Sequence, residues 1–401
     1  MPEASSRRSP IQILHVAYTR FPADTRVKRE LTALQSLGAR LAVIALRGPG
    51  ERAVERWRNI TIIRVEGRKT RGGVASYLRE YGHFVLTCRR LIANHRAFQS
   101  VRVVHVHTLP DFLVWSALPA KRRGAHIVFD MHEIFPEFAA AKFPGFLGSL
   151  ASSGARLVEA RARRSAELTI TVNRPIESLL RARPAGSKEK LLVLHNTADP
   201  GDFGTEPVSV PDVSGRIDAI YHGTLTKLYG LDVAVAGVAE AQRRGVDIRF
   251  TMLGEGPEAN DLRHMSRQLC KPGTVTLEAP IAQGALRARL GQCAVGIVPT
   301  RLDGMTRYSL STKLLEYVHL GLPVLAARLP SYQAYFTEDM LWYWNQGDPA
   351  DLARAIADFS SAGQRERSLR AERARQALEP LSWVRERTGL LTAYARLLSS
   401  R

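Results

Sequence analysis

Cysteine is scarce in this chain. The three residues, Cys88, Cys270 and Cys293, are scattered without metal-ligand spacing and leave one thiol over from any pairing. That excludes a disulfide-stapled scaffold and a cysteine-built zinc site, and it suits a reducing compartment. Long apolar runs are missing too: none reaches the roughly 18 residues that a membrane-spanning helix needs. The opening stretch MPEASSRRSP has no apolar stretch of the kind a secretory leader carries. The expectation is a cytoplasmic protein without a membrane span. Two nucleotide signatures are also absent. Neither half has G-x-G-x-x-G after its first strand, and no G-x-x-x-x-G-K-[ST] loop occurs, which argues against a dinucleotide enzyme and a P-loop ATPase.

Positive charge, by contrast, is abundant. The 401 residues carry a formal net charge of +19, and it is unevenly spread. Residues 1–200 hold 33 Lys and Arg against 16 Asp and Glu, a balance of +17, and the rest hold 24 against 22, a balance of +2. A field confined to one half points to an anionic partner of that half, whether a membrane surface, a phosphate-bearing acceptor or nucleic acid, or else to an Arg-rich solvated face. The basic residues are dispersed, with no nucleic-acid-binding motif and no aromatic-basic interleaving, so nucleic acid is not the expected partner.

The length predicts two domains of about 200 residues each. Short β-branched runs alternate with helical patterns through both halves, the signature of parallel sheets covered by helices. Strands are expected at 11–18, 40–46, 61–65, 101–108, 126–132, 168–172 and 191–196, and again at 217–223, 248–254, 274–280, 295–299 and 323–327. The fold class is α/β, with two doubly wound Rossmann-like domains facing across a cleft. The expected boundaries are 1–200, a linker at 201–215 in the Pro, Gly and acid-rich stretch DPGDFGTEPVSVPDVSG, 216–380, and a closing segment 381–401. Ligands of such folds sit outside the carboxyl ends of the strands, so the chemistry is sought there.

After the first strand, Asp24 is a suitable N-cap for a helix whose stripe runs through Leu31, Leu34 and Leu37 to Gly38. Arg20, Arg26, Lys28 and Arg29 crowd the start of that helix, where cations oppose its dipole unless an anion sits among them. The fifth strand runs into FDMHEIFPEF, which places Asp130, His132, Glu133 and Glu137 within eight residues. Imidazole and carboxylates at a strand end make a polar reaction centre in which His132 orients or donates to a substrate hydroxyl. No second His or Cys cluster accompanies them, so no metal is expected, and His105 and His107 are read as lining the strand end.

The second half repeats the logic. In YHGTLTKLYGLD, Gly223 lets the backbone approach a ligand and Lys227 can reach phosphate. MLGEGPE places Gly254 and Gly256 in a second glycine turn. In the stretch from Arg307 to Glu316, the Ser309, Ser311 and Thr312 hydroxyls, Arg307, Lys313 and a helix N-terminus make a phosphate cradle. Glu316 can accept the two hydroxyls of a ribose, or else pair with Lys313 near the helix start.

Taken together, DTRVKREL, DMHEIFPE, HNTADP, YHGTL with YGLD, LGEGPE and KLLEYVHLGLPV resemble glycosyltransferase family 4, retaining sugar-nucleotide-dependent enzymes of the GT-B fold, over nearly the whole chain. The final SWVRERTGLLTAYARLL resembles the closing helix that returns to the first domain in that family. The resemblance implies transfer of a sugar from a nucleoside diphosphate sugar to an acceptor hydroxyl with retained anomeric configuration and without metal or other cofactor. Taken with the strand-end reading above, it points to His132, Glu133, Lys227 and Lys313 for catalysis, and to Arg26, Gly223, Thr224, Gly254, Gly256, Arg307, Tyr308, Ser309, Leu310, Ser311, Thr312 and Glu316 for the donor. The chain departs from the family pattern at Tyr308, where a carboxylate is common, and at Thr224 and Tyr229, where an Arg and a Lys are usual.

The acceptor, lipid-linked or anionic, is expected against the basic first domain. In residues 68–98, Tyr77, Tyr81, Phe84, Val85, Cys88, Leu91 and Ile92 form one helical stripe flanked by arginines, a pattern that suits either core packing or an anionic membrane surface at the inner face of the cell membrane. A nucleotide-sugar epimerase on the same scaffold is the enzymatic alternative, and it needs no acceptor. A basic nucleic-acid-binding protein is the alternative that charge alone suggests.

Overall fold

The computed structural model describes residues 11–67, 74–142, 146–183, 190–213 and 215–400. Its strands are β1 (Ile13–Ala17), β2 (Leu41–Leu46), β3 (Val54–Trp57), β4 (Ile60–Val65), β5 (Val103–His107), β6 (His126–Met131), β7 (Leu168–Thr171), β8 (Leu191–Val193), β9 (Ile217–His222), β10 (Ile248–Leu253), β11 (Val275–Glu278), β12 (Val295–Val298), β13 (Val324–Ala327) and β14 (Trp342–Trp344). They form an eight-stranded sheet, ordered β3-β4-β2-β1-β5-β6-β7-β8, and a six-stranded sheet, ordered β11-β10-β9-β12-β13-β14. All neighbours run parallel except β3 and β4. Strands covered on both faces read as continuous apolar runs, and LAVIAL of β2 and VGIV of β12 are buried at every position.

The chain divides into two units, one ending at Leu194 and resumed from Val384 onward, the other His195–Trp383. This differs from the expected linker at 201–215. That stretch opens with a short helix, Pro200–Phe203, whose N-cap Asp199 accepts from Gly201 N; Phe203 is buried, and Val208 N donates to Leu320 O at 2.8 Å. The segment is thus fastened to the second unit by packing and a backbone bond. In the first unit the final helix, Trp383–Ser399, places Tyr394 in the core, its hydroxyl 2.5 Å from His105 Nδ1.

Each sheet reverses its winding once. In the first the chain goes outward from β1 through β2 to β4 and then restarts at β5 on the other side; in the second β9 and β12 are the neighbours at the reversal. Loops leaving two such strands diverge, and the crevice between them is where this architecture binds ligands.

The helix Val74–Asn94 settles the question posed by its apolar stripe. Phe84, Cys88 and Ile92 are buried, so this stripe is core rather than a membrane-facing surface. The side chain of Tyr77 lies outside the described residues. Among the described residues no helix is long and apolar enough to cross a membrane.

Candidate active site

In the second unit, the reversal brings together the loops after β9 and β12. They are tied by Arg301 N donating to Leu228 O at 3.0 Å and by an Arg301–Asp232 ion pair. Gly223, with φ +119, leaves β9 at this point. A Cβ there would stand 2.5 Å from Lys313 Cε, so only glycine admits the lysine against the turn. Lys313 is the second residue of the helix Thr312–His319, whose N-cap Ser311 makes no side-chain bond to the helix start. The first backbone N–H groups are therefore left for a ligand or water.

Lys313 itself is buried, 8% exposed, with Nζ 4.0 Å from the Tyr229 ring centroid and 5.3 Å from that of Tyr221. Among the described residues no carboxylate is paired with it. Burial pulls its pKa down to about 8 against a partial upward pull from Glu316. One turn further on, Glu316 Oε2 accepts from His222 Nε2 at 2.6 Å. The Tyr317 hydroxyl accepts from His222 N at 3.2 Å and can donate to His222 Nδ1 at 3.0 Å. Hence His222 fixes one oxygen of Glu316, and the Lys313 pairing read as an alternative is absent.

Gly254 and Gly256, the second glycine turn, are required by the packing of backbone on backbone. A Cβ at Gly254 would meet Gly223 O at 1.9 Å, and one at Gly256 would meet Leu225 O at 2.3 Å. The two glycine turns pack backbone to backbone, with Leu225 N donating to Glu255 O at 2.9 Å. Lys227 and Arg307 are exposed, and Thr224 is exposed with its carbonyl accepting from Tyr221 OH at 2.8 Å. Asp303 Oδ1 accepts from Met305 N and Thr306 N, a turn that presents Arg307, Tyr308, Ser309 and Leu310 ahead of Ser311 and Thr312. Ser309 Oγ is engaged with Met305 O at 3.3 Å.

In the first unit, strand register assembles the polar centre. His15 of β1 lies opposite His105 of β5, and His107 lies opposite Asp130 of β6. Because side chains two apart share a face, His132 joins them. Asp24 caps the helix Thr25–Leu34, accepting from Val27 N at 3.1 Å, and that helix delivers Arg26. Arg26 donates to Asp130 through Nε at 2.9 Å and Nη2 at 2.7 Å, and through Nη1 to Leu194 O at 2.9 Å. The anion among the crowded cations is therefore the chain's own Asp130, 104 residues away. This corrects the expectation that Arg26 is open to a donor.

Burial alone would raise the Asp130 pKa, but the guanidinium and the facing imidazoles outweigh it and hold the carboxyl well below its usual value. Burial, with repulsion from Asp130, pushes Glu30 up to about 8. Burial likewise lowers His15 and His105, and with His105 it brings His107 down to about 3. Burial raises Glu133, opposed by His132. Glu137 belongs elsewhere, ion-paired with Arg183.

Among the described residues two groups lie within metal-ligating reach, His107, Asp130 and His132, and behind them His15, Glu30, His105 and His107. Sequence spacing could not show them, since they come from separate strands. The bidentate Arg26 guanidinium already neutralises Asp130, and its Nε is 3.1 Å from Glu30 Oε1. A cation added to either group would face that charge in a buried setting. At the carboxyl ends of β1, β2 and β4 a further cavity of about 1020 Å³ is lined by Arg20, Arg47, Arg79 and His83 together with Glu66 and Glu80.

Comparison with known proteins agrees with this geometry. A family model for Glycosyltransferase Family 4 matches residues 23–202, and one for Glycosyl transferases group 1 matches residues 216–361. The putative colanic acid biosynthesis glycosyltransferase WcaL of Escherichia coli (strain K12) is 24% identical over 322 residues, 71% of this chain and 77% of that protein. Sucrose-phosphate synthase from Thermosynechococcus elongatus superposes with a TM-score of 0.77 at 15% identity, over 97% of this chain and all of that one. HepE of Anabaena, in complex with UDP and glucose, gives 0.68 at 13% identity over 98% and 100% of the two chains. The fold is thus the GT-B fold of glycosyltransferases. The chain is a glycosyltransferase built from a Glycosyltransferase Family 4 domain followed by a Glycosyl transferases group 1 domain.

Proposed function

We propose that the protein is a retaining glycosyltransferase that moves a sugar from a nucleoside diphosphate sugar to an acceptor hydroxyl in the assembly of a cell-envelope polysaccharide, glycolipid or other glycoconjugate. The observation that carries this reading is Lys313. A buried ammonium without a carboxylate partner, at the N-terminus of a helix and at the winding reversal of its sheet, is arranged for an anion that arrives from outside.

The leaving group of such a reaction is a diphosphate, so the main task is to stabilise the charge that develops on it. Lys313 and the free N–H groups after Ser311 serve that task, with Lys227 and Arg307 supplying charge from the exposed loops. These take the place of the family's basic pair at Thr224 and Tyr229. Glu316, with one oxygen fixed by His222, offers the other to ribose hydroxyls. His132 and Glu133 hold the donor sugar or the acceptor hydroxyl. A donor phosphate oxygen deprotonates the acceptor on the same face, and the reaction needs no metal. HepE binds UDP and glucose, and an Escherichia coli neighbour was solved with UDP-2-fluoro glucose, both in keeping with a UDP-type donor.

The acceptor is an anionic or lipid-linked hydroxyl compound received by the basic cavity of the first unit, and the enzyme works in the cytoplasm at the inner face of the membrane. The test is the product of incubation with nucleotide sugars and candidate acceptors in the presence of a chelator. Retained anomeric configuration by proton NMR coupling is the expected result. Inversion, or a requirement for divalent cation, overturns the mechanism.

A further inference from the structure

His132 is the outermost of four imidazoles gathered around one buried carboxylate, and the geometry of that carboxylate determines what the ring can do. Asp130 Oδ2 lies 2.8 Å from His132 Nε2, 3.0 Å from His107 Nδ1 and 2.9 Å from Arg26 Nε, while Oδ1 takes Arg26 Nη2 at 2.7 Å. An ionised carboxylate only accepts, so each nitrogen facing it carries a proton. His107 is then the Nδ1–H tautomer, and its Nε2 accepts from His15 Nδ1 at 2.9 Å. His105, behind them, accepts from the Tyr394 hydroxyl. The assignment is neutral His15, His105 and His107, ionised Asp130, and the Arg26 cation to balance it; His107 Nδ1 and His132 Nε2, 3.2 Å apart, are then two donors converging on Asp130 Oδ2 rather than bonded to each other.

The same logic fixes His132. Its Nε2–H is committed to Asp130, and its backbone N–H donates to Thr108 Oγ1 at 3.1 Å. In its neutral form the ring therefore presents Nδ1 as a lone pair, and among the described residues that nitrogen has no partner. A ring held this way cannot donate from Nδ1 to a sugar oxygen; it can accept from a hydroxyl.

We propose that Asp130, locked in its ionised state by Arg26, is a positioning residue of the transfer reaction. It holds His132 as the Nε2–H tautomer so that Nδ1 accepts a hydrogen bond from a substrate hydroxyl. This rests on the assignment of His132 to the sugar or acceptor hydroxyl. It replaces the donor role with an acceptor role and makes a residue that never touches substrate responsible for the direction of the bond. The stacked His105 and His107 rings, 4.2 Å apart, and the bidentate guanidinium restrain the carboxylate, so the preference is built into the fold before any ligand arrives.

Long-range proton–nitrogen correlation of the imidazole rings tests this in the native protein, with His132→Asn used to assign the signal. At pH about 8, where an ordinary imidazole is neutral, His132 is expected as the Nε2–H tautomer. An Nδ1–H ring, or a charged one at that pH, overturns the proposal. Asp130→Asn then supplies the kinetic arm. Donor diphosphate binding to the second unit is expected to stay within about twofold, while kcat falls at least tenfold and the His132 signal moves to a mixture of tautomers. An unchanged tautomer with unchanged kcat sinks the positioning role. If His132→Asn leaves turnover intact, it is the assignment of His132 to substrate that fails, and the tautomer measurement stands apart from it.

Discussion

Replacing Lys313 by methionine separates the energetic cost of the proposed phosphate site from its use. The native pKa of about 8 against 10.5 for an unfolded lysine corresponds to roughly 3 kcal/mol of destabilisation carried by the buried ammonium. Below pH 8 the lysine is protonated in both the native and unfolded states, so the full cost is present. Between about 8 and 10.5 the unfolded chain binds more protons, so stability rises with pH and the cost fades. Methionine keeps the stem and packs its sulfur against Tyr229, but it loses a cation–π contact worth about 0.5–2 kcal/mol. The net expectation is that Lys313→Met stabilises the unliganded protein by about 1–2 kcal/mol at neutral pH and by less near pH 10. Donor affinity should nonetheless fall at least tenfold. Urea unfolding of both proteins at the two pH values, with calorimetric titration of the nucleoside diphosphate, measures both quantities. A variant that is less stable at neutral pH, or that binds the donor as well as the native protein, refutes the reasoning.

Gly223→Ala sets a methyl against Lys313 Cε at a φ of +119, so donor affinity should drop severalfold with about 1–2 kcal/mol lost in unfolding, whereas an unaffected affinity would show that the lysine is not held by this turn. At Gly254 the obstacle is backbone oxygen at 1.9 Å, so Gly254→Ala should cost the second unit about 3 kcal/mol or more, read from its unfolding midpoint. Glu316→Gln should weaken donor binding tenfold or more, and His222→Ala should produce part of that loss, because it frees the carboxylate that His222 fixes at 2.6 Å; equal affinities in a titration series would exclude the ribose role.

Most strands were legible because parallel strands covered on both faces must be apolar throughout, and runs such as LAVIAL and VLAA allow no other reading. Two strands were not. β3, VERW, alternates exposed and half-buried residues at the antiparallel edge, and β14 is three aromatic residues, too short for a period to register. The glycine turns after β9 and β10 were visible, but a sequence does not show that neighbouring carbonyls demand glycine at Gly254 and Gly256.

The polar centre of the first unit was half legible. Asp130 and His132 stand in one motif, yet Arg26, His15 and His107 reach them only through strand register and a helix delivered from over 100 residues away. Of the cations crowded at that helix start, Arg26 meets an anion of the chain itself, Asp130. The basic helix stripe carried no information about its surroundings until Phe84, Cys88 and Ile92 were seen to be buried.

The most direct test of the central claim is the thermal midpoint of the native protein and of Lys313→Met against UDP, GDP, TDP and ADP and their sugars, with a chelator present. A ligand that binds only the folded state must raise the midpoint. The account predicts that one base and its sugars stabilise the native protein selectively and that Lys313→Met loses the shift. No shift with any nucleotide, or the same shift in both proteins, would contradict it.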